Sequence, residues 1–221
     1  HDVHGRLDLN AALPTLAGMT GTDPVSVARA LDNQIPLKTG STTNISVVDA
    51  EGNACVVTTT LGLGSGVWIR GRGIHLNSML GETELLAPGP LPRDQLSLSQ
   101  PGNRMASMMC PLVVTNGDGL VLAAGSAGAS RIRTALTHTL VGVLADGLSV
   151  AEAIARPRFH PANGILHVEP GLPESTLDAL AEAGFTLRHW DAPDLYFGGA
   201  SAVGASGAAG DPRRGGKGVL V

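Results

Sequence analysis

A small, flexible pair, Gly40-Ser41, runs into Thr42-Thr43 and then into a β-branched stretch, Asn44-Ile45-Ser46-Val47-Val48-Asp49. No other point in the chain constrains the fold as strongly. Branched side chains suit a pleated sheet. A second run of the same kind, ending at Thr58-Thr59-Thr60-Leu61, follows after Ala50-Glu51-Gly52-Asn53, whose Gly and Asn suit a tight turn. The pattern from Thr43 to Leu61 predicts a hairpin with Thr42 at its edge.

That edge position also carries chemistry. A threonine hydroxyl is a poor nucleophile unless a base sits beside it, and an N-terminal threonine carries one in its own α-amino group, whose reference pKa is about 7.7–8.0. Within an intact chain the same nitrogen is an amide, so such a site stays silent until the Ser41–Thr42 bond is cut. Read locally, the segment is a polar turn before an ordinary strand.

The hairpin must pack on something, and composition limits what. The 221 residues suffice for one large domain with a substantial core, yet only 3% are aromatic while 30 are glycine. Small and aliphatic side chains packed closely must fill that core, which suits layered sheets and helices. Charged residues make up 15% and the net charge is −4, so neither nucleic acid nor an anionic membrane is an expected partner. No apolar run reaches the roughly 18 residues of a membrane span. Cys55 and Cys110 form no Cys-x-x-Cys pair, and Cys55 in its apolar strand reads as a buried free thiol. The seven histidines show no metal-ligand spacing, so no metal site is expected. Gly-x-Ser-x-Gly, Ser-x-x-Lys and P-loop motifs are absent.

Elsewhere the pattern alternates strands and helices. Leu7, Leu9, Leu13 and Leu16 give residues 1–36 a helical character, and Thr22-Asp23-Pro24 caps a helix through about Leu31 before Pro36 ends regular structure. Asn116-Gly117-Asp118-Gly119 predicts a second hairpin within Pro111–Ala124. Gly125–Ser130 reads as a helix-capping turn or a weak anion site, with Ser130 capping a helix that carries Ile132, Leu136, Leu140, Val143 and Leu144. Ser149-x-x-Glu152 is a capping box opening a helix that stops near Pro157, and a further helix lies between Pro173 and Gly184. Strands near Phe185–Trp190 and Ala200–Val203 close an α/β arrangement.

Several segments together resemble the small subunit of γ-glutamyltransferases (γ-glutamyltranspeptidases). They are Thr42 to Asp49, Glu51-Gly52-Asn53-Ala54, Thr58 to Leu61, Gly64-Ser65-Gly66, Gly73-Ile74-His75-Leu76-Asn77, Arg104 to Pro111, Gly125 to Ile132, Ala155 to His160 and Gly210 to Arg213, in the family's order. The resemblance runs from about Leu37 to the C-terminus. It implies the αββα sandwich of N-terminal nucleophile hydrolases (an α+β fold), of which this chain supplies part. Residues 1–41 would be the C-terminal segment of the large subunit or pro-region, and 42–221 the small catalytic subunit. The implied activity is hydrolysis or transfer of γ-glutamyl amides through an acyl-enzyme, with no cofactor and no metal. The implied partner is the large subunit of the same precursor.

Residue by residue, the resemblance makes Thr42 the nucleophile, released by autoproteolysis after Ser41, and Thr60 the threonine that hydrogen-bonds it. Gly128 and Ala129 stand where two glycines supply oxyanion-binding N–H groups, and Ala129 keeps that role if its dihedrals are ordinary. Substrate positions depart from the pattern. Glu82 replaces an Asp, Met79 a Gln and Gly62 an Asn; of two carboxylate-binding serines Ser107 remains and Met108 replaces the other. Lost polar contacts change specificity more than acyl-transfer machinery. Met105 and Met109 read as core filling, His160 as a structural imidazole, Arg104 and Arg131 carry no assigned substrate role, and the Asn44-Ile45-Ser46 sequon is chance. Two alternatives stay open: the same mechanism on another acyl group, such as a glutaryl-type amide, or an unprocessed, non-catalytic half of an assembly. The chain starts at His1 without a signal-peptide pattern, as part of a longer translation product would. Localisation is not legible; members of the family are often periplasmic or extracellular.

Overall fold

The computed structural model describes residues 42–79, 107–162 and 164–221. The helical reading of 1–36, the assignment of 1–41 to another subunit, and Ser41, Glu82, Arg104 and Met105 lie outside the described residues. Strands β1 (Thr43–Val48) and β2 (Ala54–Thr59) form the predicted hairpin in unbroken antiparallel register from Thr43 opposite Thr59 to Val48 opposite Ala54. Gly52 turns it at φ +83°, and the Asp49 carboxylate accepts the N–H groups of Glu51 and Asn53 at 3.1 and 2.8 Å.

A four-stranded antiparallel sheet lies against one face of the hairpin, in the order β11-β10-β6-β5. Its strands are β5 (Leu112–Asn116), β6 (Gly119–Ala127), β10 (Gly199–Gly204) and β11 (Gly207–Gly210). Helices α1 (Arg131–Leu144) and α2 (Val150–Ala155) pack on the same sheet. Alternation separates the two sides. Leu122 and Ala124 of β6 with Ala200 and Ala202 of β10 meet Ile132, Leu136, Val150 and Ile154 of the helices in the apolar core. The intervening Ser201 meets the hairpin instead, and a Cβ on Gly125 would stand 2.0 Å from Asn44 Oδ1. Helix, sheet and hairpin thus give three successive layers, built at close range by alanine and glycine as the composition requires.

The inner face of the hairpin is polar. Asn44 Nδ2 donates to Ser201 Oγ at 2.6 Å and to Ser46 Oγ at 3.0 Å, while Thr58 Oγ1 donates to Asn44 Oδ1 at 2.7 Å. These bonds engage both the amide N–H groups and the oxygen of Asn44. The outer face of the hairpin carries Ile45, Val47 and Val57, exposed by 56, 53 and 49%. Cys55 belongs to that outer face and is exposed, as is Cys110, so the expectation of a buried thiol fails. The strand reading was right, but alternation alone does not say which face turns inward.

Other differences are local. Strand β6 continues through Gly125-Ser126-Ala127, paired with β10, so only Gly128 and Ala129 form the turn before α1. Ser130 occupies the N-cap position of α1 but makes no side-chain capping bond, whereas Ser149 and Glu152 form the predicted capping box of α2. Phe159-His160 opens a strand, β7 (Phe159–Ala162), that pairs with β8 (Ile165–Val168). Helix α3 (Glu174–Glu182) leads into β9 (Thr186–His189), parallel to β8. A short arm of β3 (Trp68–Ile69) and β4 (Ile74–His75) follows the first hairpin, with the Trp68 and His75 rings stacked at 4.6 Å.

One titration follows from this packing. His138 on α1 sits edge-on to Phe159, and burial, aided by the positive charge of Arg158, lowers its pKa from 6.5 to about 4. The unfolded chain therefore binds a proton that the folded one refuses between those values. Stability is full above about pH 6.5 and falls as pH drops toward 4, by at most about 3 kcal/mol. Urea midpoints at pH 7 and pH 4.5 should differ less in His138→Gln than in the parent; an unchanged difference excludes this source.

Candidate active site

Residue 42 faces residue 60 if the β1–β2 register extends one pair beyond Thr43 and Thr59. Both then point inward with Asn44 and Thr58. The hydroxyls of Thr42 and Thr60 indeed lie 2.9 Å apart, and the Gly62 N–H donates to Thr60 Oγ1 at 2.8 Å. Gly62 is buried at φ +63°, so the chain turns sharply there and Thr60 is pinned by the backbone just beyond it. A Thr60 oxygen that accepts from Gly62 still has its own proton to give Thr42.

These threonines open onto a pocket of about 200 Å³, part of it solvent, lined also by Met79, Ser107, Met108, Met109, Ala129 and Ile132. The sequence-assigned residues Thr42, Thr60, Met79, Ser107, Met108 and Ala129 are therefore brought together from five separate segments. Gly62 stands behind Thr60, and Gly128 precedes Ala129 in the turn at the end of β6. Met79 is almost fully buried, and Met109 both lines the pocket and borders the apolar core, so it does more than fill space. Ser107 Oγ accepts the Met109 N–H at 3.1 Å and keeps its own proton to donate. No charged side chain lines the pocket among the described residues.

Ala129 departs from expectation. Its φ is +52°, left-handed rather than ordinary, and Gly128 before it has φ +128°. The carbonyls of Gly128 and Ala129 accept the N–H groups of Arg131 and Ile132 at 3.0 and 3.1 Å, while their own N–H groups donate to no described residue. Two uncommitted donors beside a hydroxyl pair can stabilise negative charge on a carbonyl oxygen under attack. No group of three or more potential metal ligands occurs among the described residues.

A hydroxyl pair, a turn with uncommitted N–H groups and a small recess thus lie together at the end of the first hairpin. The family model for Gamma-glutamyltranspeptidase matches residues 15–221. The chain belongs to that family. Over 157 residues it is 35% identical to the glutathione hydrolase proenzyme of Escherichia coli (strain K12), covering 67% of this chain and 27% of the relative. Acylase ACY 1 proenzyme of Pseudomonas sp. (strain V22) is 30% identical over 149 residues, covering 66% of this chain and 26% of the relative. Among solved structures, γ-glutamyltranspeptidase from Pseudomonas nitroreducens complexed with L-DON is 30% identical with a TM-score of 0.65. That match covers 81% of this chain and 99% of that one. The fold is accordingly that of the N-terminal nucleophile hydrolases, an α+β sandwich. The chain spans about a quarter of the length of these two proenzymes.

Local sequence gave no sign of the Asn44–Ser201 seam or of the residues behind Ala129. The seam joins positions 157 residues apart, and only the alternation of Asn44 and Ser46 with Ile45 and Val47 hinted at it.

Proposed function

We propose that this chain provides the threonine half of a two-chain amidohydrolase and acyltransferase acting on γ-glutamyl amides of the glutathione type. Thr42 Oγ1 attacks the amide carbonyl and the freed α-amine of the same residue takes the proton. The oxygen that becomes negative accepts the N–H groups of Gly128 and Ala129. Collapse expels the leaving amine with the proton from the α-ammonium and leaves an ester on Thr42, which water or an acceptor amine then opens. Maturation uses the same hydroxyl: attack on the Ser41 carbonyl breaks the C–N bond, frees the Thr42 amine and leaves Ser41 as an ester on Thr42 Oγ1, and water then opens that ester to a Ser41 carboxylate and the free Thr42 hydroxyl. The 2.9 Å hydroxyl pair beside the pocket carries this reading.

The partner is the rest of the same precursor. Relatives are proenzymes of about four times the matched length, whereas the match covers nearly all of the separately solved Pseudomonas nitroreducens chain. The uncovered apolar face of Ile45, Val47 and Val57 is the kind of surface a partner must bury.

A second reading keeps the mechanism and changes the acyl group. Met79 and Met108 line the pocket where resemblance alone would place polar partners for an amino-acid head, and an acylase is among the relatives. Intact-mass analysis of the purified protein, followed by turnover of γ-glutamyl and glutaryl anilides, decides between them. We expect a species beginning at Thr42 and faster turnover of the γ-glutamyl donor. A preference of about tenfold or more for the glutaryl donor selects the second reading. A chain uncut under all conditions leaves the unprocessed structural half instead.

A further inference from the structure

Ala129 is the one described non-glycine residue with a positive φ. Such a conformation costs on the order of 1–3 kcal/mol and persists only where its surroundings over-determine it. Two sets of contacts do so. From behind, Gly128 is pressed against Gly198, so closely that a Cβ on Gly128 would lie 2.7 Å from the Gly198 Cα. Gly198 ends a short 3-10 helix, Leu195–Phe197, whose Tyr196 carbonyl accepts Arg131 Nε at 3.1 Å and whose Tyr196 ring lies 4.4 Å from the Arg131 guanidinium carbon. The Trp190 ring stacks on Tyr196 at 4.8 Å, and the Phe197 ring meets both edge-on. A chain with only six Phe, Trp and Tyr residues spends three of them here.

From the front, a directional chain of hydrogen bonds runs through His160, which is only 3% exposed. Thr134 Oγ1 donates to the Arg131 carbonyl at 3.2 Å, so its single proton is used. With that proton on the Arg131 carbonyl, the 2.9 Å contact between Thr134 Oγ1 and His160 Nδ1 has the ring nitrogen as donor, the tautomer deciding between this and the reverse direction. In neutral imidazole this leaves Nε2 as an acceptor, facing Ser130 Oγ at 3.5 Å. Ser130 Oγ in turn accepts from Arg131 Nη1 at 3.2 Å. These bonds explain why Ser130, at an N-cap position, does not cap. Its hydroxyl is turned away from the helix N–H groups, although a serine cap is worth about 1 kcal/mol.

We propose that His160 is a positioning residue for acyl transfer. It holds the Ser130 hydroxyl, and through Ser130 it fixes the Gly128–Ala129 turn with its N–H groups toward the reacting carbonyl. It touches no substrate. Its effect falls on the step in which charge develops on the oxygen, because donors set slightly wrong lose more against a concentrated charge than against a neutral amide.

The inference rests on the acyl-transfer reading above, and the test separates the two. In the processed, assembled protein, the parent is checked for a chain beginning at Thr42 and for anilide turnover. His160→Leu, His160→Asn, His160→Gln and Ser130→Ala are then compared. Glutamine reaches the Nε2 position and can bind Ser130; asparagine reaches only Nδ1. We expect kcat to fall about 10- to 100-fold in His160→Leu, His160→Asn and Ser130→Ala, with KM within about twofold, and His160→Gln to recover most of the loss. The double variant His160→Leu/Ser130→Ala should lose no more than either single one. Parental kcat in folded His160→Leu, or a fall confined to KM, overturns the proposal while the function stands. Should His160→Leu not fold, parental kcat in Ser130→Ala overturns it equally. A parent that neither releases Thr42 nor turns over an anilide removes the function and this inference together.

Discussion

Thr42→Ala is expected to abolish both maturation and turnover. In the proposed mechanism one hydroxyl cuts the Ser41–Thr42 bond and later carries the acyl group. Its removal therefore leaves an intact precursor and, in material trimmed artificially to residue 42, an amine with no nucleophile to activate. Loss of the nucleophile from an acyl-transfer site costs on the order of 10⁶ in kcat. Thr42→Ser keeps the hydroxyl and the amine, so it should mature and retain measurable turnover. Thr60→Ala should fall between, by about 10²- to 10⁴-fold, because the 2.9 Å hydroxyl pair loses its second member while the nucleophile survives. Intact masses and initial rates of the three variants check this order. A Thr42→Ala precursor that still cleaves after Ser41, or a trimmed Thr42→Ala protein with near-parental rate, removes Thr42 from the chemistry.

The roles of these threonines were legible only through the ordered resemblance, but their placement has a local physical reason that does not extend to the rest of the site. Local rules place both of them: β-branched runs make strands, a Gly-Asn turn sets the register, and the register puts residue 42 opposite residue 60. The Ser149–Glu152 capping box and the Asn116–Gly119 turn were legible on the same grounds, since each is specified within four residues. Long-range closures were not legible. Which face of β1 turned inward depended on Ser201 and on a glycine at 125 small enough to admit Asn44. The left-handed Ala129 depended on Gly198 and Tyr196, nearly 70 residues further on. Propensity placed Cys55 correctly in a strand and wrongly in the core, because the residues that would cover its face are not among those the hairpin packs on.

The same long-range logic produces the largest expected stability effect, at Asp211. Its carboxylate is buried between Arg158, 2.7 Å away, and Arg213, 3.2 Å away, and also accepts the Ala200 N–H at 3.1 Å. Glu169 completes the group on Arg213. The two arginines in turn donate to the carbonyls of Ile154, Arg156 and Phe197, tying the end of α2 to the segment that backs Gly198. Burial pushes the Arg158 guanidinium below its ordinary pKa even with Asp211 opposing that shift, so its charge leans chiefly on this carboxylate, with a smaller contribution from Glu169. Burial also works against Arg213, yet Glu169 and Asp211 hold it above its ordinary value. Asp211→Ala removes the directly bonded counter-charge of Arg158 in an interior site, for which about 3–5 kcal/mol is the usual cost of losing one partner. At roughly 2–4 °C per kcal/mol for a domain of this size, the melting temperature should drop by about 6–20 °C. Asp146→Ala provides the contrast. Its pair with Arg156 is 36 and 39% exposed, and such a bond contributes about 1 kcal/mol or less. Equal melting temperatures for the two variants would show that the buried cluster is electrostatically idle. A drop confined to Asp211→Ala, accompanied by slower turnover, would show instead that the ion cluster and the turn at Ala129 share the Phe197–Gly198 segment as a common support.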